Sequence, residues 1–288
     1  MATLAEFKTK EKSWWCPGCG DFAVLASLQK ALVDLNLEPE NVALIAGIGC
    51  SGKIGNYINS YGFHVVHGRT LPVAMGTKLA NRNLTVIAAG GDGDGYAIGM
   101  GHFMHAMRRN IDMTYIVMDN HIYGLTKGQV SPTSDKGFKP KGTAVPNHER
   151  NVMPLEIALA SNCSFVAQGF SSNVKQLSEL IAKGIQHKGF SLINAISPCV
   201  TFNRVNTYDF YKENLVNLEE LPDYDPTNRM QAVETVVKYK SLVTGLVYQD
   251  PNSVPFEEGI PNFKDVPIAH QDLTITQEQF DSLMEEFR

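Results

Sequence analysis

The chain has 288 residues, 43% apolar and 19% charged, with 25 Lys and Arg against 30 Asp and Glu for a formal net charge of −5. That balance excludes disordered and fibrous classes, and a mildly acidic chain has no general affinity for nucleic acid or an anionic membrane surface. No apolar run approaches the roughly 18 residues of a membrane span, and residues 1–13 carry lysines without the apolar stretch of a secretory signal, so the cytoplasm is the expected compartment.

In chain order, a helix is expected over 22–35, where Leu25, Leu28, Leu32 and Leu35 share one face behind Asp21 as N-cap. Short apolar runs rich in Val and Ile, without clean alternation, predict buried parallel strands over 42–46, 84–89, 113–118 and 190–196. Further helices are expected over 71–80, 96–107 and 174–185, the last opened by Asn173 and Gln176 in the pattern of a capping box. Alternating strands and helices predict an α/β fold, a parallel sheet with helices on both faces. Ligands of such sheets bind beyond the carboxyl ends of the strands. There the sequence places the segments 47–53, 90–95, 119–128 and 197–203, which carry most of its unusual residues.

Residues 120–151 form a long connection with little periodicity, holding Lys127, Lys136, Lys139 and Lys141, and a solvated basic loop is expected. Beyond residue 200, prolines, tyrosines and acidic residues dominate. This predicts two units: residues 1–200, and an irregular C-terminal extension over 201–288. The extension ends in an amphipathic helix, with Thr276 and Gln279 as a capping box and Phe280, Leu283, Met284 and Phe287 as an apolar stripe docking on the chain's own core.

Five cysteines are too few for a disulfide scaffold. Cys163 lies on an apolar segment and reads as packing. Cys16 and Cys19 form Cys-Pro-Gly-Cys-Gly, and the sheet can bring Cys50 and Cys199 to them from the ends of two strands. Four thiolates suit zinc or a 4Fe-4S cluster. One local pair plus two distant singles is less typical of zinc.

Gly91-Asp92-Gly93-Asp94-Gly95 follows the second predicted strand, and Asp119-Asn120 follows the third. Carboxylate and amide oxygens at strand ends suit Mg²⁺, which shares its shell with phosphate oxygens. Glycines let the backbone approach a diphosphate, and the helix opened at Gly95 adds positive potential. Gly47-Ile48-Gly49-Cys50-Ser51-Gly52 is also a literal dinucleotide fingerprint. Yet no Asp or Glu lies between Glu40 and Asp92 to hold a ribose, leaving only Arg69 for a 2′-phosphate.

These motifs together identify a resemblance to the beta subunits of the 2-oxoacid:ferredoxin oxidoreductases, in particular those of 2-oxoglutarate type. The matching stretches are Trp15-Cys-Pro-Gly-Cys-Gly-Asp21, Gly47-Ile-Gly-Cys-Ser51, His67-Gly-Arg69 and Gly91-Asp-Gly-Asp-Gly95. They continue with His102-x-x-x-Ala-x-Arg-Arg-Asn110, Asn120-x-x-Tyr-Gly-Leu-Thr-Lys-Gly-Gln129, Ser131-Pro-Thr133 and Ser197-Pro-Cys199. The resemblance implies the diphosphate-binding half of a thiamine diphosphate-binding fold. It also implies 4Fe-4S ligation by Cys16, Cys19, Cys50 and Cys199, and Mg²⁺ held by Asp92, Asn120 and the carbonyl of Ile122. Thiamine diphosphate contacts are implied at Ile48, Gly49, Cys50, Ser51, His67, Gly93, Asp94, Gly124 and Leu125.

The same resemblance implies an alpha subunit, a ferredoxin acceptor, and 2-oxoacid and coenzyme A as substrates. The expected reaction is oxidative decarboxylation of 2-oxoglutarate to succinyl-CoA and CO₂. Lys53 is the foremost candidate for the substrate's distal carboxylate, with Lys127 as second. His102 and His105 are expected to pack or cap, and Trp14 and Trp15 to shield the cluster. The alternatives are the same chemistry on pyruvate or branched-chain 2-oxoacids, a nicotinamide oxidoreductase with structural zinc, and a non-catalytic zinc module.

Overall fold

The structure is a computed structural model describing residues 2–141, 143–260 and 266–287. The strands are β1 (Val42–Ala46), β2 (Tyr61–His64), β3 (Thr85–Gly91), β4 (Met113–Asp119), β5 (Phe165–Phe170), β6 (Phe190–Ile196), β7 (Val216–Asn217) and β8 (Val243–Gln249). They form one sheet in the order β2-β1-β3-β4-β6-β5-β8-β7. β1 to β6 run parallel to their neighbours, and β8 lies antiparallel to β5. The helices are α1 (Asp21–Asp34), α2 (Thr70–Ala80), α3 (Met100–Arg109), α4 (Pro154–Ala160), α5 (Val174–Gln186), α6 (Tyr208–Asn214), α7 (Arg229–Lys238) and α8 (Gln277–Glu285).

Alternation along β1 sends its side chains to two separate cores. Ala43 and Ile45 pack with Leu71 of α2, Phe103 of α3, Leu159 of α4 and Val236 of α7. Val42 and Leu44 pack with Leu28 and Leu32 of α1 and Leu177 and Ile181 of α5. Strands buried on both faces must read as continuous apolar runs, and the bounds of β1 and β6 match the expected ones.

From β1 the chain moves outward to β2, then crosses back to β3 and on to β4. The connections leaving β1 and β3 therefore diverge, opening a crevice at the carboxyl ends of these two strands. That switch point lies between Gly47 and Gly91, so both glycine motifs flank it.

Several expectations need correction. Asp21 is not the N-cap of α1: Gly20 takes that position and Asp21 begins the helix, fully buried. Only half of the capping box of α5 forms, because Asn173 accepts from Gln176 N–H while the Gln176 side chain turns away to Asn217. The helix expected from Tyr96 opens instead with a π turn over Asp94–Ile98, and α3 follows from Met100. The chain beyond residue 200 is more regular than its composition suggests, since β7 and β8 complete the sheet and Ala232 and Val236 of α7 enter the core. The capping box of α8 is complete, but its stripe does not dock on the core: Phe280, Leu283, Met284 and Phe287 are all exposed, Phe287 by 83%. Amphipathic spacing sets which residues share a face and does not provide a surface for that face.

Candidate active site

The crevice holds a cavity of about 140 Å³ lined by Ile48, Gly49, Cys50, Ser51, His67, Gly91, Asp92, Gly93, Asp94, Asn120, Ile122, Tyr123, Gly124, Leu125 and Thr126. Residues from three strand ends thus meet in one place, Cys50 and Asp92 among them. The cavity's volume is below the roughly 300–1,000 Å³ of sites that enclose a whole small molecule. Ile48 and Leu125 stand on its wall 38% and 47% exposed.

Asp92 is 2% exposed at the end of β3, and Thr133 donates its hydroxyl to Asp92 Oδ2 at 2.6 Å. Burial, then the nearby Asp119 carboxylate, raises the Asp92 carboxyl to about 6. Asn120 and Ile122 are buried in the turn after β4, where Asn120 Oδ1 accepts from Ile122 N–H at 3.1 Å. An amide oxygen has a second lone pair and can still meet a cation. Gly93 lies under the Tyr123 ring, where an added Cβ would fall 2.1 Å from Cε1, and Tyr123 donates to the Gly93 carbonyl at 3.1 Å. Glycine at this point lets the Tyr123 ring close over the backbone.

Asp94 has a different role. Its carboxylate accepts from Ile48 N–H at 3.2 Å, Gly68 N–H at 2.9 Å and the Thr70 hydroxyl at 2.9 Å, and meets His67 Nδ1 at 2.6 Å. It ties the segment after β1 to the start of α2. A Cβ on Gly47 would lie 2.2 Å from Asp94 Oδ2. The first glycine of the apparent dinucleotide fingerprint therefore has a packing reason.

Cys50 lines this cavity, and Cys199 lies beside it. A Cβ on Gly124 would lie 3.5 Å from Cys199 Sγ and 3.8 Å from Cys50 Sγ. Cys19 feels both Cys199 and Cys50, and Cys50 feels Cys199 and Cys16. Among the described residues, no group of three or more His, Cys, Asp or Glu is arranged to hold a single metal ion. Cys163 lies apart, fully buried. Trp15 is buried edge-on to Phe22 and Tyr57, with its indole N–H donating to the Cys50 carbonyl at 2.7 Å. Trp14 does not share this shielding, being 77% exposed.

Neither Lys53 nor Lys127 lines the cavity. Lys53 is half-buried on the turn just after Cys50, whose thiol it favours as thiolate; Lys127 is exposed with a φ of 75°. The lysines of the long connection are exposed as expected, while Ser131, Thr133 and Ser134 of the same segment are buried. His102 and His105 are not packing residues: His105 is exposed, and His102 accepts from the Arg69 guanidinium.

Sequence reasoning assigned no site role to Thr133 or Asp21. A larger cavity, about 420 Å³, lies beyond Asp119 and Thr133, with His121 and Tyr211 among its lining residues. It is the smaller cavity that the glycine motifs face. Asp21 is fully buried with neither oxygen hydrogen-bonded, and burial raises its carboxyl to about 7 despite the nearby Ser197 hydroxyl and Cys19. A raised carboxyl favours the fold below its unfolded value near 3.8 and loses that contribution as pH rises to about 7. Asp21→Asn is expected to stabilise metal-free protein by roughly 2–4 kcal/mol at pH 8 and by little at pH 4. Urea unfolding at the two pH values checks this; equal stability of variant and parent at pH 8 contradicts it.

The switch-point crevice and its glycine-lined cavity define a domain of the thiamine diphosphate-enzyme class. Residues 47–195 match the family described as "Thiamine pyrophosphate enzyme, C-terminal TPP binding domain". Residues 199–265 match the family described as the C-terminal part of the pyruvate ferredoxin oxidoreductase beta subunit. The chain is 42% identical over 272 residues to the 2-oxoacid:ferredoxin oxidoreductase subunit beta of Saccharolobus solfataricus, covering 89% of each chain. It is 39% identical over 219 residues to the 2-oxoglutarate synthase subunit KorB of Archaeoglobus fulgidus, covering 73% of this chain and 82% of that one. Among solved structures, the 2-oxoglutarate:ferredoxin oxidoreductase of Magnetococcus marinus, with 2-oxoglutarate, coenzyme A and succinyl-CoA bound, matches with a TM-score of 0.89 and 35% identity, covering 98% of this chain and 96% of that one. The chain belongs to the beta subunits of the 2-oxoacid:ferredoxin oxidoreductases. The matching families and relatives are named for thiamine pyrophosphate and ferredoxin, not for a nicotinamide cofactor.

Proposed function

We propose that this chain is the diphosphate-binding and electron-relay subunit of a 2-oxoglutarate:ferredoxin oxidoreductase. The observation that carries the reading is that Cys50 and Asp92 line one cavity. In this reading Asp92, Asn120 and the Ile122 carbonyl hold Mg²⁺ on the diphosphate. Ile48 to Ser51, His67, Gly93, Asp94, Gly124 and Leu125 cradle thiamine diphosphate. Cys16, Cys19, Cys50 and Cys199 hold a 4Fe-4S cluster beside it. Thiamine diphosphate held there would supply the nucleophilic carbon for a 2-oxoacid and a sink for the electrons of its decarboxylation.

The chain's own residues fix this geometry. Asp94 clamps the Ile48 and Gly68 backbones around the cavity. Trp15 buries the backbone beside Cys50. Leu125 would meet the cofactor from an exposed position on the cavity wall. Apolar side chains stand exposed at Ile48 and Leu125 on the wall and at Tyr61 and Phe63 on the edge strand β2. An alpha subunit seated there would close the cavity and exclude water. Coenzyme A and ferredoxin complete the reaction, which gives succinyl-CoA, CO₂ and two electrons.

The 2-oxoglutarate assignment is supported by the relatives named for that substrate; Lys53, just outside the cavity lining, is the candidate partner of the distal carboxylate. Lys53→Ile is expected to lower kcat/KM for 2-oxoglutarate by roughly 10–100-fold, as for a lost charge-assisted hydrogen bond. Pyruvate turnover should change by less than about threefold. A substrate panel, run on the complex with its alpha subunit, checks this, and equal losses on both acids contradict it. Faster turnover of pyruvate or branched-chain acids by the parent enzyme would favour that alternative. Lys127 is the second candidate and is expected to show a smaller effect.

A further inference from the structure

We propose that Thr133 is a positioning residue of the cofactor site, its hydroxyl holding the Asp92 carboxylate in the orientation that meets the diphosphate-bound cation. This inference rests on the Mg²⁺ reading of Asp92 given above. Thr133 Oγ1 lies 2.6 Å from Asp92 Oδ2 and 2.9 Å from Asp119 Oδ1, and all three residues are at most 3% exposed. A hydroxyl has one proton to give, and the shorter contact marks Asp92 as its acceptor. Asp119 is held from another side by Asn194 Nδ2 at 3.3 Å. The hydroxyl thus spans the ends of β3 and β4, the two strands that carry the cation ligands.

Thr133 is itself held firmly. The Ser134 hydroxyl accepts from Ser131 N–H at 2.9 Å and donates to the His121 carbonyl at 2.6 Å. Val152 N–H donates to the Pro132 carbonyl at 2.7 Å. The Ser131-Pro132-Thr133-Ser134 turn is therefore anchored to the segment that carries Asn120 and Ile122. This accounts for a motif to which the cofactor reading assigns no contact. It also explains what the long connection after β4 does, which is to carry a hydroxyl beneath a carboxylate 41 residues away. Side chains that orient a metal ligand typically contribute 10–100-fold to metal affinity.

The test is calorimetric binding of thiamine diphosphate to the cofactor-depleted complex with the alpha subunit, across a series of Mg²⁺ concentrations. Thr133→Val keeps the shape and removes the hydroxyl. It is expected to raise the half-saturating Mg²⁺ concentration by about 10–100-fold, with thiamine diphosphate affinity restored at saturating Mg²⁺. Thr133→Ser keeps the hydroxyl and should stay within about threefold of the parent. Thr133→Ala provides the same measurement should the valine fold poorly. An unchanged Mg²⁺ requirement in Val or Ala, or an equal shift in Ser, overturns the inference. A parent complex that binds thiamine diphosphate without regard to Mg²⁺ instead overturns the cation reading on which it rests.

Discussion

Replacing Asp92 by alanine removes Mg²⁺-dependent binding of thiamine diphosphate from the complex with the alpha subunit. The expected loss exceeds about 100-fold, because even groups behind a metal ligand contribute 10–100-fold and Asp92 is the carboxylate proposed to touch the ion. Burial and the neighbouring Asp119 raise its carboxyl to about 6 without the cation. Below about pH 6 Mg²⁺ must displace that proton, so affinity for the ion should fall there, with proton release on binding. Without Mg²⁺, the same raised carboxyl costs stability as pH rises from 3.8 to about 6. Bound Mg²⁺ should remove that penalty and raise the unfolding midpoint more at pH 8 than at pH 5. Calorimetry with Asp92→Ala, followed by pH-resolved unfolding of the parent, checks both statements. Undiminished Mg²⁺-dependent binding in the variant contradicts the assignment.

Replacing Cys19 by serine is expected to remove iron and acid-labile sulfide and to abolish reduction of a ferredoxin or viologen acceptor. Burial, then the Asp21 carboxylate, pushes the Cys19 thiol far above its ordinary range. Burial likewise pushes Cys50 up to about 11. At neutral pH these thiols keep their protons until a metal displaces them. A serine hydroxyl is a harder, less acidic donor and cannot repeat that exchange. Cys19 is not among the residues lining the cavity proposed for thiamine diphosphate, so Mg²⁺-dependent thiamine diphosphate binding should remain within about threefold of the parent. Iron and sulfide analysis of anaerobically purified protein beside that calorimetry makes the comparison. Loss of cofactor binding together with iron would mean that the two sites do not separate in this way.

The elements that the sequence showed most clearly are those whose burial is symmetric. Val42–Ala46 and Phe190–Ile196 are covered on both faces, so apolar runs alone mark them. Tyr61–His64 is an exposed edge strand with no such run, and only its pairing with β1 defines it. In Phe165–Phe170 the run is broken by Gln168, whose amide is satisfied by the Ser241 and Val243 carbonyls and by Asn194. No local rule foresees partners so far along the chain. Gly245, with a φ of 119°, interrupts β8 in the same way.

The candidate site divides along similar lines. That Asp92, Gly93 and Asn120 share a cavity is legible because glycine and acid motifs at the ends of neighbouring parallel strands meet at the switch point. Thr133 is not, since its contact with Asp92 depends on how a long connection folds back. Asp21 shows why position alone misleads: an aspartate before a helix resembles a cap, yet Gly20 takes that role and the carboxylate is buried without a hydrogen bond. The stripe on α8 was visible and its capping box forms, but a stripe does not name its partner.

Stopped-flow absorbance of the anaerobic complex with its alpha subunit, mixed with 2-oxoglutarate and no ferredoxin, most directly tests whether the cofactor and cluster sites meet at one end of the sheet. The account predicts bleaching of the iron–sulfur absorbance that needs thiamine diphosphate and is lost in both Asp92→Ala and Cys19→Ser. Protein that contains zinc and no iron, or a cluster that stays oxidised while 2-oxoglutarate is consumed, would contradict it.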